Sequence, residues 1–297
     1  MMAASSFPEP AMSDETPVRN VSDTARWVAI YRAMESERSD AIFHDPYARR
    51  LGGERGEAIV RDMPRGRSMA WPMIVRTAVM DEIVMRCIGE GARTVLNLAA
   101  GLDARPYRLD LPADLRWMHV DLPDMLAYFR DAMASETPRC RLEFHAADLR
   151  DAEARRALFS DAATTGPVLV VTEGLLVYLE PDDVAALARD LHDVAHARWW
   201  LSDLASPLLL KRYTKHLDKK LAAGNAPFRF APAEGTAWFA PTGWREREFR
   251  SMWDESLRLN RTVPFAPLWV ALSKLQPREK RDAMRRMSGI VLMESNS

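Results

Sequence analysis

Three acidic residues, Asp121, Asp148 and Glu173, each follow a short apolar run, and the small residues Ala99-Ala100-Gly101 follow another. Carboxylates accept hydrogen bonds from hydroxyl and amine donors, and a bend of small residues lets a ligand lie against the backbone. Asp121 comes twenty residues after Gly101. That spacing suits an acid at the end of the neighbouring strand, gripping ribose hydroxyls. The bend itself comes after Thr94-Val95-Leu96-Asn97-Leu98, a run short enough for a buried strand, and Pro106 precedes a helical-looking stretch. The first N–H groups of such a helix would point at the same place. Ligands of open α/β sheets bind in the crevice at the carboxyl ends of the strands. Three acids and a bend at successive strand ends therefore predict a nucleotide-like ligand.

The glycine pattern narrows the ligand. A dinucleotide fingerprint G-x-G-x-x-G aligned on Gly101 would need glycine where the chain has Ala99 and Ala104, and no G-x-x-x-x-G-K-[ST] occurs. A ligand without phosphate needs less glycine and more acid. S-adenosyl-L-methionine is such a ligand: its ammonium, ribose hydroxyls and adenine amine call for acceptors, and its carboxylate calls for an arginine. A NAD-dependent oxidoreductase on the same sheet topology is the rival enzyme class.

The elements that must position these residues alternate. Val21-Ser22-Asp23-Thr24 can cap a helix beginning near Ala25, and Phe43-His44-Asp45-Pro46-Tyr47 forms a turn. Pro46 starts a short helix through Arg50, ended by Gly52-Gly53. Apolar residues share one face of a helix over 72–88. Strands are expected at 94–98, 116–121, 141–146, 167–172 and 198–203, with helices at 123–134, 151–159 and 181–195 between them, the pattern of a largely parallel sheet. After 205 the alternation breaks. A basic helical piece, Lys211 to Lys220, and a loop bearing Tyr213, Phe228, Phe230, Trp238 and Phe239 read as a lid insertion over 205–240, with the aromatics as an acceptor pocket or as ordinary core. Thr242-Gly243-Trp244 opens another helix, and strands near 256–262 and 289–294 finish the sheet as an antiparallel pair at one edge.

Composition sets the outer bounds. The chain has 297 residues, 47% of them hydrophobic, enough for one large domain with a sizeable core. Its 41 basic and 42 acidic residues give a net charge of −1, so no global field draws it to nucleic acid or to a membrane. Two cysteines without zinc spacing, Cys87 and Cys140, read as reduced thiols, and no metal is expected. No run reaches the ~20 apolar residues of a membrane helix, and the N-terminus lacks the pattern of a secretion signal. A cytoplasmic location is the expectation. Residues 1–20 are polar and aperiodic and are expected to be a disordered tail.

Val95-Leu96-Asn97-Leu98-Ala99-Ala100-Gly101-Leu102-Asp103-Ala104-Arg105-Pro106-Tyr107-Arg108-Leu109 resembles the VxNLGAGLDTRxYRL signature of the leucine carboxyl methyltransferase family, and is most similar to its bacterial branch of S-adenosyl-L-methionine-dependent methyltransferases. Thr24-Ala25-Arg26-Trp27-Val28-Ala29 and Phe43-His44-Asp45-Pro46-Tyr47-Ala48 resemble that branch's N-terminal lid motifs. Val75-Arg76-Thr77, His119-Val120-Asp121-Leu122-Pro123, Ala147-Asp148-Leu149 and Thr172-Glu173-Gly174-Leu175-Leu176-Val177-Tyr178-Leu179 resemble its cofactor motifs. One departure is Ala99, where the family usually has glycine; the extra methyl crowds the cofactor or shifts the turn.

The resemblance implies roles. Arg76 would hold the methionine carboxylate, and Ala99 and Gly101 would lay the methionine part along the backbone. Asp103 and Arg105 would order the turn. Asp121, with Leu122, would take the ribose hydroxyls, Asp148 and the Leu149 backbone would face adenine, and Glu173, Gly174 and Tyr178 would sit near the methionine end. Arg26 and Tyr31 would close over the site from the N-terminal helices, with a plain surface ion-pair role as the alternative for Arg26. Asp203 and Tyr178 face the same edge and either touch substrate or pack. No catalytic base is evident, since His192, His196 and His216 fall on predicted helices.

We therefore expect a single α/β domain over 21–297, with the class I methyltransferase Rossmann-like architecture. It has a seven-stranded, mostly parallel sheet with helices on both faces, an N-terminal helical cover over 21–90 and the 205–240 lid. The expected reaction is O-methylation of a carboxylate or hydroxyl of a small molecule, as in secondary metabolism, with S-adenosyl-L-homocysteine as product. Carboxyl methylation of a protein C-terminus is the alternative that the family name suggests.

Overall fold

The computed structural model describes residues 21–62, 70–211, 228–273 and 275–296. The expected tail over 1–20, Tyr213, His216 and most of the basic piece ending at Lys220 lie outside the described residues.

A seven-stranded sheet in the order β3-β2-β1-β4-β5-β7-β6 forms the centre. Its strands are β1 (Thr94–Leu98), β2 (Arg116–Asp121), β3 (Arg141–Ala146), β4 (Val168–Thr172), β5 (Trp199–Ala205), β6 (Trp244–Ser251) and β7 (Ser288–Ser295). β1 to β5 are parallel, and β7 runs antiparallel between β5 and β6. The two central strands, β1 and β4, are buried along their whole length, as a continuous apolar run requires when both faces are covered.

Period-two alternation divides these strands between two cores. Leu96, Leu98, Val168 and Val170 pack with Leu158, Phe159, Val184, Leu187 and Leu191 from α6 (Ala152–Ala162) and α7 (Pro181–Asp193). Val95, Leu169 and Val171 pack on the other face with Val75, Val79 and Ile83 from α3 (Trp71–Gly89). The remaining helices before β4 are α1 (Val21–Ser36), α2 (Ala48–Asp62), the single turn α4 (Arg105–Arg108) and α5 (Pro123–Ala132). Between β6 and β7 come α8 (Met252–Arg258), α9 (Ala266–Ser273) and α10 (Arg278–Arg285).

Three expectations are corrected, and one open alternative is decided. The short helix after Pro46 does not end at Gly52-Gly53; α2 runs on to Asp62 through a kink at Gly53 (φ 59°). The glycines let two helices touch, because a Cβ on Gly52 would lie 2.5 Å from Ile30 Cδ1 of α1. Trp244 begins a strand, not a helix, and residues 256–262 hold the end of α8 and a loop, not a strand. The edge is therefore a β6–β7 ladder, with a bulge between Glu246 and Glu248. Phe230 and Phe239 are buried against Trp200 and Trp244 in the main core, with Trp238 packed beside them, so these aromatics of the expected lid are structural.

Candidate cofactor site

The carboxyl ends of β1, β2, β3 and β4 open into a cavity of about 630 Å³. All twelve residues expected from the sequence to bind the cofactor line it, together with Thr24, Ala25, Trp27, Val28 and Arg32 from α1 and Met73 and Thr77 from α3.

The bend after β1 forms its floor. Ala99 and Gly101 both adopt left-handed backbone, φ 50° and 55°. Glycine tolerates that region freely, whereas a Cβ there costs roughly 1–2 kcal/mol. Ala99 therefore carries strain where glycine would carry none. The bend is pinned from the next strand: Gly101 N–H donates to Asp121 Oδ2 at 2.6 Å, and Leu122 N–H donates to Oδ1 at 2.7 Å. Burial pushes the Asp121 carboxyl upward, and these two N–H donors oppose that rise. Each carboxylate oxygen has two lone pairs, so each keeps one that these bonds leave unused. A vicinal diol matches that acceptor pair.

Beneath the bend, His119 Nε2 lies 3.3 Å from the Gly101 carbonyl while its ring stacks on Phe129. Burial pushes this imidazole down to about 4, so it is neutral at ordinary pH. Nε2–H then donates to Gly101 and supports the bend from below. Sequence reasoning placed His119 in a cofactor motif without a role of its own, because a histidine inside an apolar strand carries no spacing signal.

Asp103 and Arg105 brace the bend through buried hydrogen bonds and ion pairs. Asp103 accepts from the Arg105 backbone N–H at 2.9 Å, and its Oδ2 from Asn97 Nδ2 at 2.8 Å. The Arg105 guanidinium is fully buried between three acids: Asp81 at 2.6 Å, Asp103 at 2.8 Å and Glu173 at 2.9 Å. The chain of pairs continues through Arg108 to Asp81 and through Arg32 to Asp45. Asp81, Arg108 and Arg32 were not anticipated, because their partners lie far apart in sequence.

Glu173 also accepts from Arg76 Nε at 3.0 Å. Burial works against its ionisation, but the guanidiniums of Arg105 and Arg76 outweigh burial and bring it down to about 2. Arg76 reaches Asp203 Oδ2 at 3.2 Å through Nη1, and Asp203 Oδ1 accepts the Gly174 N–H at 2.6 Å. Asp203 thus secures the β4 turn and Arg76. Arg76 carries five N–H donors, and these two contacts leave three for an anion.

At the outer wall, Asp148 takes a forked pair from Arg150, 2.6 Å at its shortest, beside Leu149. Tyr178 lines the cavity too. Burial raises its phenol, while Arg76 and a hydrogen bond with Thr24 of α1 lower it. Arg229 at the mouth pairs with Glu180. Two expected covers lie elsewhere: Arg26 stacks over the Tyr128 ring at 3.8 Å, and Tyr31 is buried among Ile30, Val60 and Ile74. Among the described residues one cluster has metal-ligand spacing, Glu143, His145 and Asp161, and there Arg116 Nη2 already bridges Glu143 at 2.7 Å and Asp161 at 2.6 Å.

The acceptor-rich rim, the phosphate-free bend and the available Arg76 donors fit S-adenosyl-L-methionine. The profile described as leucine carboxyl methyltransferase matches residues 25–192. A Mycobacterium tuberculosis protein named as a proposed S-adenosyl-L-methionine-dependent methyltransferase is 32% identical over 254 residues, spanning 76% of this chain and 83% of that protein. A Parafrankia protein of the same description is 34% identical over 265 residues, spanning 82% of this chain and 83% of its own. The crystal structure of a proposed methyltransferase from Thermobifida fusca superposes with a TM-score of 0.57 at 17% identity, covering 99% of this chain and all of the other, and shows the same fold. The incomplete glycine fingerprint that disfavoured a nicotinamide cofactor thus has its explanation: the chain belongs to the leucine carboxyl methyltransferase family and is an S-adenosyl-L-methionine-dependent methyltransferase.

Proposed function

We propose that the chain methylates an oxygen of a small molecule, with a carboxylate as the preferred acceptor and a hydroxyl as the second. One observation carries this choice: among the described residues lining the cavity there is no histidine, lysine or cysteine, and its most buried acids, Asp103 and Glu173, are held ionised by neighbouring arginines, which makes them poor bases. A carboxylate is ionised at neutral pH and needs no base, whereas an alcohol does. The bound donor supplies an electrophilic methyl on sulfur.

The chain's residues supply position and dryness. In this reading Asp121 takes the two ribose hydroxyls on its remaining lone pairs, next to Leu122. Gly101, with Ala99, lays the donor's amino-acid part along the backbone. The three available N–H groups of Arg76 hold its carboxylate. Asp148 and the Leu149 backbone face adenine, with Arg150 swinging aside. Glu173, Gly174 and Tyr178 shape the methionine end, and Asp103 and Arg105 keep the bend in place without touching the ligand. Trp27 and Met73 give the acceptor side apolar walls. We take 21–297 as one domain whose α1–α3 form the cover.

A methyl-labelled donor offered with panels of small carboxylic acids, phenols and alcohols tests the reading. Base-labile methyl esters, formed at a kcat/KM that stays level between about pH 6 and 9, are the expected result. Label appearing only on nitrogen or carbon acceptors would overturn it.

A further inference from the structure

The net charge of −1 averages over a segment of opposite character. Between β6 and β7, Phe265, Leu268, Trp269 and Leu272 recur at the i, i+3, i+4, i+7 spacing of one helix face. That face normally points into a core. Here it points outward: Phe265 is 78% exposed, Leu268 58%, Trp269 57% and Leu272 46%, and Leu275 just beyond is 82% exposed. The opposite side is the one that packs, with Ala266 buried. Isolated exposed apolar residues are ordinary, but a contiguous stripe of large ones marks a contact surface.

The following helix, α10, has no buried residue. Residues 265–286 carry six basic side chains, Lys274, Arg278, Lys280, Arg281, Arg285 and Arg286, against the two acids Glu279 and Asp282. Among the described residues two further acids reach in, Asp254 to Arg285 and Glu246 to Arg286, while the segment's own sequence carries four more basic than acidic side chains. Apolar stripe, tryptophan and adjacent cations together are the composition of an interfacial helix. A second copy of this chain is a poor occupant, because an isologous contact would bring two cationic segments together. Nucleic acid would use the cations but leave the leucines and Phe265 without a partner.

We propose that α9, α10 and the turn between them form a docking surface for an anionic lipid bilayer: Phe265, Leu268, Trp269, Leu272 and Leu275 enter the interface while the cations of α10 meet the headgroups. The segment leads directly into β7, whose Ser288 pairs with Ala205, two residues past Asp203. Docking there sets the sheet edge that bears the cavity close to the membrane. The proposal stands whatever the acceptor proves to be.

Co-sedimentation of the full chain with vesicles tests it. Vesicles of phosphatidylcholine with about a third phosphatidylglycerol should carry the protein down at low salt, and pure phosphatidylcholine should carry down far less. Trp269→Ser with Leu272→Ser, both at exposed positions, should weaken the binding about thirtyfold, and Lys280→Glu should weaken it about fivefold or more per charge unit. Both variants should keep wild-type affinity for S-adenosyl-L-homocysteine, showing that the fold and cavity are intact. Absence of sedimentation with anionic vesicles would overturn the proposal. So would binding that neither variant changes, or a sedimentation-velocity dimer that the Trp269→Ser, Leu272→Ser variant dissolves.

Discussion

Ala99 shows how much one methyl group settles at this site. Its left-handed φ of 50° is a conformation that glycine holds without strain. Ala99→Gly removes that strain but loosens the unfolded chain, an offset of roughly 0.4–1 kcal/mol. The balance predicts a net gain of about 0.5 kcal/mol in urea unfolding, whereas a clear loss would mean that the methyl is packed to advantage. His119 makes a second prediction. Its folded pKa of about 4 lies below the ordinary 6.5, so the neutral form favours folding. That stability is fully present above pH 6.5 and drains away as pH falls toward 4, on the order of 3 kcal/mol in all. Glu173, depressed from 4.5 to about 2, adds a separate loss below pH 4.5. Unfolding free energies of His119→Phe and Glu173→Gln across this range should each lack the corresponding slope and keep the other.

At the scale of elements, the row of buried ion pairs holds α1, α3, α4, β4 and β5 in register around the cavity. Arg105 is its centre, since it meets acids from α3, the β1 turn and β4. Arg105→Met leaves those carboxylates buried without their shared cation and should cost about 3–5 kcal/mol in denaturant unfolding; a cost under 1 kcal/mol would show that water or Arg76 replaces it. None of this was readable in advance, because the pairs join residues up to 127 positions apart. Strands were legible wherever burial on both faces wrote an unbroken apolar run, as in Val168–Thr172. β6 was not: WREREFRS places charge at most positions of an edge strand whose ladder partner is β7 alone. The glycines of α2 misled for the opposite reason, since a residue that usually ends a helix there serves a close crossing with α1.

For the whole molecule, the positions of the acids at strand ends were readable because a parallel sheet turns sequence order into a row along one edge. β2, β3 and β4 each finish at the cavity that the sequence predicted, and the bend after β1 lies among them. What the sequence could not show was which acids remain available. Asp148 is engaged by Arg150 and Glu173 by two arginines, while Asp121 meets only backbone N–H groups. Asp121 is therefore the residue on which donor binding depends most. The direct measurement is calorimetric titration of S-adenosyl-L-homocysteine into the wild-type chain, Asp121→Ala and the exposed control Asp110→Ala. Losing two charged hydrogen bonds should weaken binding by about a hundredfold or more in Asp121→Ala, with Asp110→Ala matching wild type. Equal affinity in all three would contradict the account.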